Sequence, residues 1–295
     1  MKEIVKQNIS KVPKLYYIPL IGDPREFVCG WSAAMVNITL TYPVNKIIFR
    51  QMLHGISVKS AFLQIVDEGI VTLYRGMLPP LLQKSVSSSL MFGTYDMFRK
   101  RLSDTPLHPI VTNSISAILA GSVEAVLTPF ERIQTLLQDS AYQKQFVNMK
   151  HAVKVVGMEY GFREFYRGLT PVLFRNGPSN VVFFLLREEF NERIPQSNHF
   201  WGVHAFQQFF VGACIGALNS TLFYPFNVVK VHMQSKLGGE YISMRTAFRE
   251  LYIERGKKIS NFYKGVHMNY SRSFVSWGVI NLAYERFKII LFSED

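Results

Sequence analysis

The residues best placed to do chemistry are charges embedded in apolar segments. In TPFERIQTLLQ, Thr128 to Gln138, an acid and a base stand directly behind a proline, and Glu124 interrupts the apolar run ILAGSVEAVLTP just before it. A carboxylate in such company is costly unless it meets a cation. A proline inside a helix removes a hydrogen bond and kinks the chain. The chemistry this predicts is ion pairing and ligand capture rather than bond making. No glycine-rich phosphate loop, metal-ligand cluster or nucleophile–base grouping accompanies these charges. The chain therefore does not read as an enzyme, and neither a cofactor nor a metal is expected.

The elements that must position these charges follow from repetition. The proline motif recurs, altered, as YPVNKIIFRQM at Tyr42 to Met52 and YPFNVVKVHMQ at Tyr224 to Gln234. A second motif, aromatic–basic–glycine, follows each proline and ends at Gly76, Gly168 and Gly265. Two motifs recurring three times in one order divide the chain into repeats at 26–107, 108–200 and 201–295, behind a polar tail at 1–25. Each repeat has a long apolar stretch through its proline (27–53, 110–137 and 206–233) and another after its glycine (77–102, 169–194 and 266–292). At ~1.5 Å per residue each is long enough to cross a ~30 Å hydrocarbon core. Small residues such as Gly30, Ala33, Gly212 and Gly216 would let such helices approach closely. VKSAFLQIVDEG, NMKHAVKVVGMEYG and ISMRTAFRELYIERG between them read as short amphipathic helices at the interface. The fold class expected is an all-α membrane protein with six transmembrane helices in three repeats. A soluble α-solenoid fits less well, because its repeats are shorter.

Composition agrees with that class. Of 295 residues, 48% are hydrophobic and only 18% charged, yet the net charge is +12. A basic excess favours anionic partners such as lipid headgroups or an anionic solute. Nucleic acid is not expected, because the basic residues are scattered between apolar segments rather than gathered in a stripe. Cys29 and Cys214 lie in small-residue apolar runs and indicate no disulfide framework. The N-terminus lacks an apolar core before a small-residue cleavage site and does not read as a secretory signal.

Three units of about 100 residues, each with Pro-x-[Asp/Glu]-x-x-[Lys/Arg] or a variant of it and then an aromatic-[Lys/Arg]-Gly step, resemble the mitochondrial carrier family. The resemblance covers the chain from about Glu26 to its end. It implies a six-helix pseudo-threefold barrel in the inner mitochondrial membrane, multi-pass and monomeric, with its amphipathic helices on the matrix side. The less generic phrases LYRGMLPPLLQK, FERIQTLLQD, LFRNGPSNVVFF and NYSRSFVSWGVIN are similar to those of family members that carry NAD+, which implies NAD+ as substrate.

The resemblance also implies roles. At the matrix gate the acidic and basic positions are Asn45 and Ile48, Glu131 and Gln134, and Asn227 and Lys230, so one salt bridge, Glu131–Lys230, is expected. The bracing glutamines are Gln138 and Gln234, with Met52 in the first repeat. The cytoplasmic gate falls on Tyr95, Asp96 and Arg99, on Tyr284, Glu285 and Lys288, and on Glu188 in the departing second repeat. Substrate contacts fall on Gln83 and Lys84, Arg175 and Asn176, and Arg272 and Ser273. Every repeat thus offers a cation, and arginine suits phosphate because its planar fork donates two hydrogen bonds at once. Glu124, matched by Ile38 and Ser220 in the other repeats, is expected near the cationic nicotinamide, or paired with an arginine when the site is empty. Ser87, Ser179 and Ser276 form a threefold set one turn beyond, for substrate or for helix packing; Asn180, Tyr270 and Trp277 are weaker candidates for the adenine or sugar end. Arg75-Gly76, Arg167-Gly168 and Lys264-Gly265 open helices whose free amides would hold cardiolipin. The Arg175-Asn176 pair is more typical of keto-acid carriers, so another anion (a keto acid, coenzyme A or another nucleotide) stays open, as does a scaffold that no longer transports.

Overall fold

The computed structural model describes residues 24–193 and 201–292. Most of the expected tail lies outside them. All regular structure among the described residues is helical: α1 (Pro24–His54), α2 (Val58–Asp67), α3 (Leu78–Ser103), α4 (Pro109–Glu124), α5 (Thr128–Gln138), α6 (Met149–Val155), α7 (Leu169–Arg193), α8 (Trp201–Leu222), α9 (Tyr224–Ser235), α10 (Met244–Glu254) and α11 (Val266–Phe292), with short tight turns between. The bounds of the six long segments follow those read from hydrophobic runs. By hydropathy and length together, only Pro109–Gln138 qualifies as a membrane span among the described residues. In the other long segments polar and charged residues interrupt the apolar runs.

The long helices close a ring in chain order. Helix α1 packs on α3, α3 on α4, α4 on α7, α7 on α8, α8 on α11, and α11 back on α1. The proline ends converge, with α9 touching both α1 and α5. The prolines differ in what they do. Pro43 lies inside an uninterrupted α1, whereas Pro129 and Pro225 each sit in the first turn of a new helix. The break before Pro129 is a tight turn at Ala125–Leu127, where the Thr128 hydroxyl donates to the Ala125 carbonyl that proline leaves without its helical partner.

The short helices α2, α6 and α10 start alike. Ser57, Asn148 and Ser243 each accept an N–H from three residues on (Ser60, His151 and Thr246), which is the N-cap bond. Each then buries a small apolar face: Ala61 and Ile65, Ala152, or Ala247 and Leu251.

Each repeat grips the next at this end. The Arg75 guanidinium donates to the carbonyls of Gln143 and Phe146 in the second repeat. That of Arg167 donates to Gly239 in the third at 2.9 Å. The Lys264 ammonium returns to Gly55 in the first at 2.8 Å. The second-to-third seam is reinforced by Glu164, a buried carboxylate that accepts from Arg132 at 2.6 Å, Tyr241 at 2.9 Å, and Arg167 and the Gly238 amide at 3.2 Å each. The glycine beside each clasp is required. At Gly265, with φ +98°, an added Cβ would stand 2.5 Å from the Tyr224 hydroxyl, which itself donates to the Lys264 carbonyl.

Two measurements follow. Gly265→Ala should lower the thermal midpoint in detergent by several degrees, since it adds both the left-handed strain and the clash; an unchanged midpoint would show the contact to be slack. Burial alone would raise the Glu164 carboxyl, but Arg132, Tyr241, the Gly238 amide and Arg167 outweigh it and hold it below its ordinary range. A carboxyl lowered by folding adds stability above its unfolded pKa, about 4.3, and loses it as pH falls through the folded value. Glu164→Gln should therefore reduce stability at neutral pH and flatten the acid limb of the stability profile, and an unaltered acid limb would count against this hub.

Candidate functional site

The centre of the ring is organised by one carboxylate. Glu131, in the first turn of α5, is set inward because Pro129 starts a new helix two residues earlier. Its Oε1 accepts from Arg175 Nη2 of α7 at 2.9 Å and from Gln83 Nε2 of α3 at 3.1 Å. Its Oε2 accepts from Lys230 Nζ of α9 at 3.1 Å. Arg175 extends the network, donating to Asn227 Oδ1 at 3.1 Å and to Asn176 Oδ1 at 2.8 Å. All three repeats therefore meet here. The expected Glu131–Lys230 bridge is present, but the expectation of one bridge was too small. Arg175 pairs with the same acid because α4, which leads into α5, packs directly between α3 and α7, so a residue expected to hold substrate meets one expected at the gate.

The remaining expected substrate residues lie around this network. Glu124 accepts from the Ser87 hydroxyl at 2.5 Å. Lys84 stands within electrostatic reach of Glu124, Arg272, Arg175 and Glu131. Arg272 donates to Asn269 Oδ1 on its own helix at 3.0 Å, and among the described residues no carboxylate pairs with it. Ser273 is turned to the Asn269 carbonyl of its own helix. The three serines do not behave alike: Ser87 serves Glu124, Ser179 accepts from Asn219 Nδ2 at 2.9 Å, and Ser276 is buried with no partner among the described residues. Tyr270 accepts from the Thr221 hydroxyl, and the Trp277 side chain lies outside the described residues.

Around this network, Gln138 donates to the Tyr42 hydroxyl at 2.9 Å, and Tyr42 donates its own O–H to the Arg75 carbonyl. Gln234 accepts from Thr135 at 3.3 Å. Asn45 and Gln134 make no side-chain hydrogen bond among the described residues. Sequence reasoning missed Tyr42 and Tyr224, although both stand immediately before a proline in the quoted motifs. Repeat two has Thr128 there, which hid the pattern.

At the other end, Glu188 is the meeting point. It accepts from Tyr95 at 3.2 Å and from Asn113 Nδ2 at 2.6 Å, and pairs with Arg99 at 3.4 Å. Tyr95 also stacks on Phe184 with ring centroids 3.7 Å apart. Asp96 pairs with Lys100 within its own helix, at 2.8 Å. Asn113, which was not foreseen, lies in a polar patch at the start of α4 that carries no motif. Tyr284, Glu285 and Lys288 fall on α11, with side chains outside the described residues. At the clasps, the side chains of Arg75, Arg167 and Lys264 donate to protein carbonyls.

The family model described as mitochondrial carrier protein matches residues 23–106, 107–198 and 202–295. The mitochondrial nicotinamide adenine dinucleotide transporter SLC25A51 of Mus musculus is 44% identical over 91% of this chain and 90% of its own length. Its Homo sapiens counterpart is 42% identical over 95% and 92%. Homo sapiens SLC25A52, of the same description, is 42% identical over the same shares.

The shared acid generates a prediction. Glu131→Ala leaves Arg175 and Lys230 without their counter-charge, and should cost roughly 3–5 kcal/mol of stability, read as a large loss of thermal midpoint. The exchange Glu131→Lys with Lys230→Glu should fail to restore it, because the new lysine would face Arg175. Full rescue by the exchange would show that the pair acts alone.

Proposed function

The chain belongs to the mitochondrial carrier family, and we propose that it carries NAD+ across the inner mitochondrial membrane into the matrix, by alternating access through the central cationic site. The observation that carries this reading is the charge balance of the centre. Lys84, Arg175, Lys230 and Arg272 gather around only two acids, Glu124 and Glu131, and Arg272 has no carboxylate partner among the described residues. Cations held at membrane depth without counter-charge favour an anionic ligand. The diphosphate of NAD+ supplies that charge, and its nicotinamide ring, which is cationic, matches Glu124. The names of the relatives at 42–44% identity support the same substrate.

In this reading a phosphate competes with Glu131 for Arg175. Taking Arg175 away removes the tie between α7 and α5 and leaves Glu131 to Lys230 alone, so release of the convergent ends of α5 and α9 requires the ligand's negative charge to draw Lys230 as well. Glu188, with Tyr95, Asn113 and Arg99, closes the opposite end in turn. The free amides behind Gly76, Gly168 and Gly265 seat cardiolipin phosphates. The chain works as a monomer. A small dicarboxylate fits less well, because Glu124 would repel it.

Proteoliposomes with purified protein should take up labelled NAD+ well above protein-free vesicles, and more than a 2-oxodicarboxylate or coenzyme A. Glu124→Ala should reduce NAD+ uptake by tenfold or more. Uptake of the keto acid but not NAD+ by folded protein would reject this substrate in favour of the carboxylate.

A further inference from the structure

We infer that Asn269 is a positioning residue: it aims the Arg272 guanidinium at a phosphate of the carried dinucleotide while leaving its charge unspent, an inference that rests on the NAD+ reading. Arg272 Nη2 donates to Asn269 Oδ1 at 3.0 Å, one turn back along α11. A guanidinium can only donate, so the contact fixes which end of the Asn269 amide faces it. Asn269 is only 7% exposed, so its surroundings hold the amide in place. Arg272 reaches far enough for its charge to act on Lys84 of α3, two places round the ring.

What the amide withholds is charge. The cation at the same register of the second repeat, Arg175, is paired with Glu131 and also feels Glu124. No carboxylate pairs with Arg272 among the described residues, and its surroundings bury it without supplying a counter-charge. An acid in place of the amide would pair with the guanidinium and compete with an incoming phosphate, whereas a neutral acceptor gives direction alone. A phosphate can therefore take Arg272 without displacing an acid, while at Arg175 it must displace Glu131. The repeat does not call for this amide. The positions equivalent to Asn269 are Pro80 and Val172, and neither side chain can accept a hydrogen bond.

The purified chain tests this through two readouts: the NAD+ concentration that half-saturates its thermal stabilisation in detergent, and the KM for uptake into vesicles. Asn269→Asp keeps the shape but adds a counter-charge, and should raise both about tenfold with little change in maximal rate. Asn269→Leu keeps the volume but removes the acceptor, and should raise both about threefold. ADP-ribose, which has the diphosphate but no nicotinamide, should lose affinity by the same factors. In an Arg272→Gln background Asn269→Leu should change the half-saturating concentration no further, because the amide acts through the guanidinium. Wild-type values in folded Asn269→Asp, a full Asn269→Leu effect without Arg272, or a collapsed thermal midpoint in both single variants would overturn the positioning role while leaving NAD+ transport standing. Absence of NAD+ binding and uptake by the folded wild type would overturn the NAD+ reading and this role with it.

Discussion

The structure turns on a single carboxylate shared by three donors. Glu131 holds Arg175, Lys230 and Gln83 at once, from three different helices. An ion pair out of water is stable only when its geometry and remaining hydrogen bonds are good, and this one achieves that by sharing. Arg175, expected at the contact site, and Lys230, expected at the gate, therefore belong to one network. Whatever draws Arg175 away also changes what Lys230 experiences.

That sharing explains how a depleted ring of charges can suffice. Asn45 and Asn227 stand where acids are expected, and Ile48 and Gln134 where bases are expected. Only one acid remains, but it is served by a base recruited from the contact site and by an amide from α3. Hydrogen bonds that involve neutral side chains fill the remainder: Gln138 to Tyr42, Thr135 to Gln234, and the Arg175 guanidinium to the Asn227 amide.

The architecture was legible in the sequence because it is written three times. The helix bounds, the clasps' glycines and the central cations all sit at repeated offsets, and repetition separates them from background. What escaped was whatever the repeats do not share. The Arg175–Glu131 pair joins a contact position to a gate position, two registers that no periodicity links. Asn113 has no motif around it, and Glu164 lies in a turn whose equivalents in the other repeats are not acids. The helix breaks before Pro129 and Pro225 were also invisible, since the proline is common to all three units while only the first keeps one helix running through it.

The three clasps have a further consequence, because they are not equal. Between the first and second repeats Arg75 makes two carbonyl contacts, with Arg50 bound to Glu68 and Ser140 beside it. Between the second and third, Glu164 gathers four donors. Between the third and first, Lys264 and Arg255 reach only backbone carbonyls of α1 and its end, and no carboxylate joins them among the described residues. That joint is closed instead by apolar packing, with α11 laid along α1 and Ile48 of the first repeat set among Tyr224, Val228 and Val229 of the third.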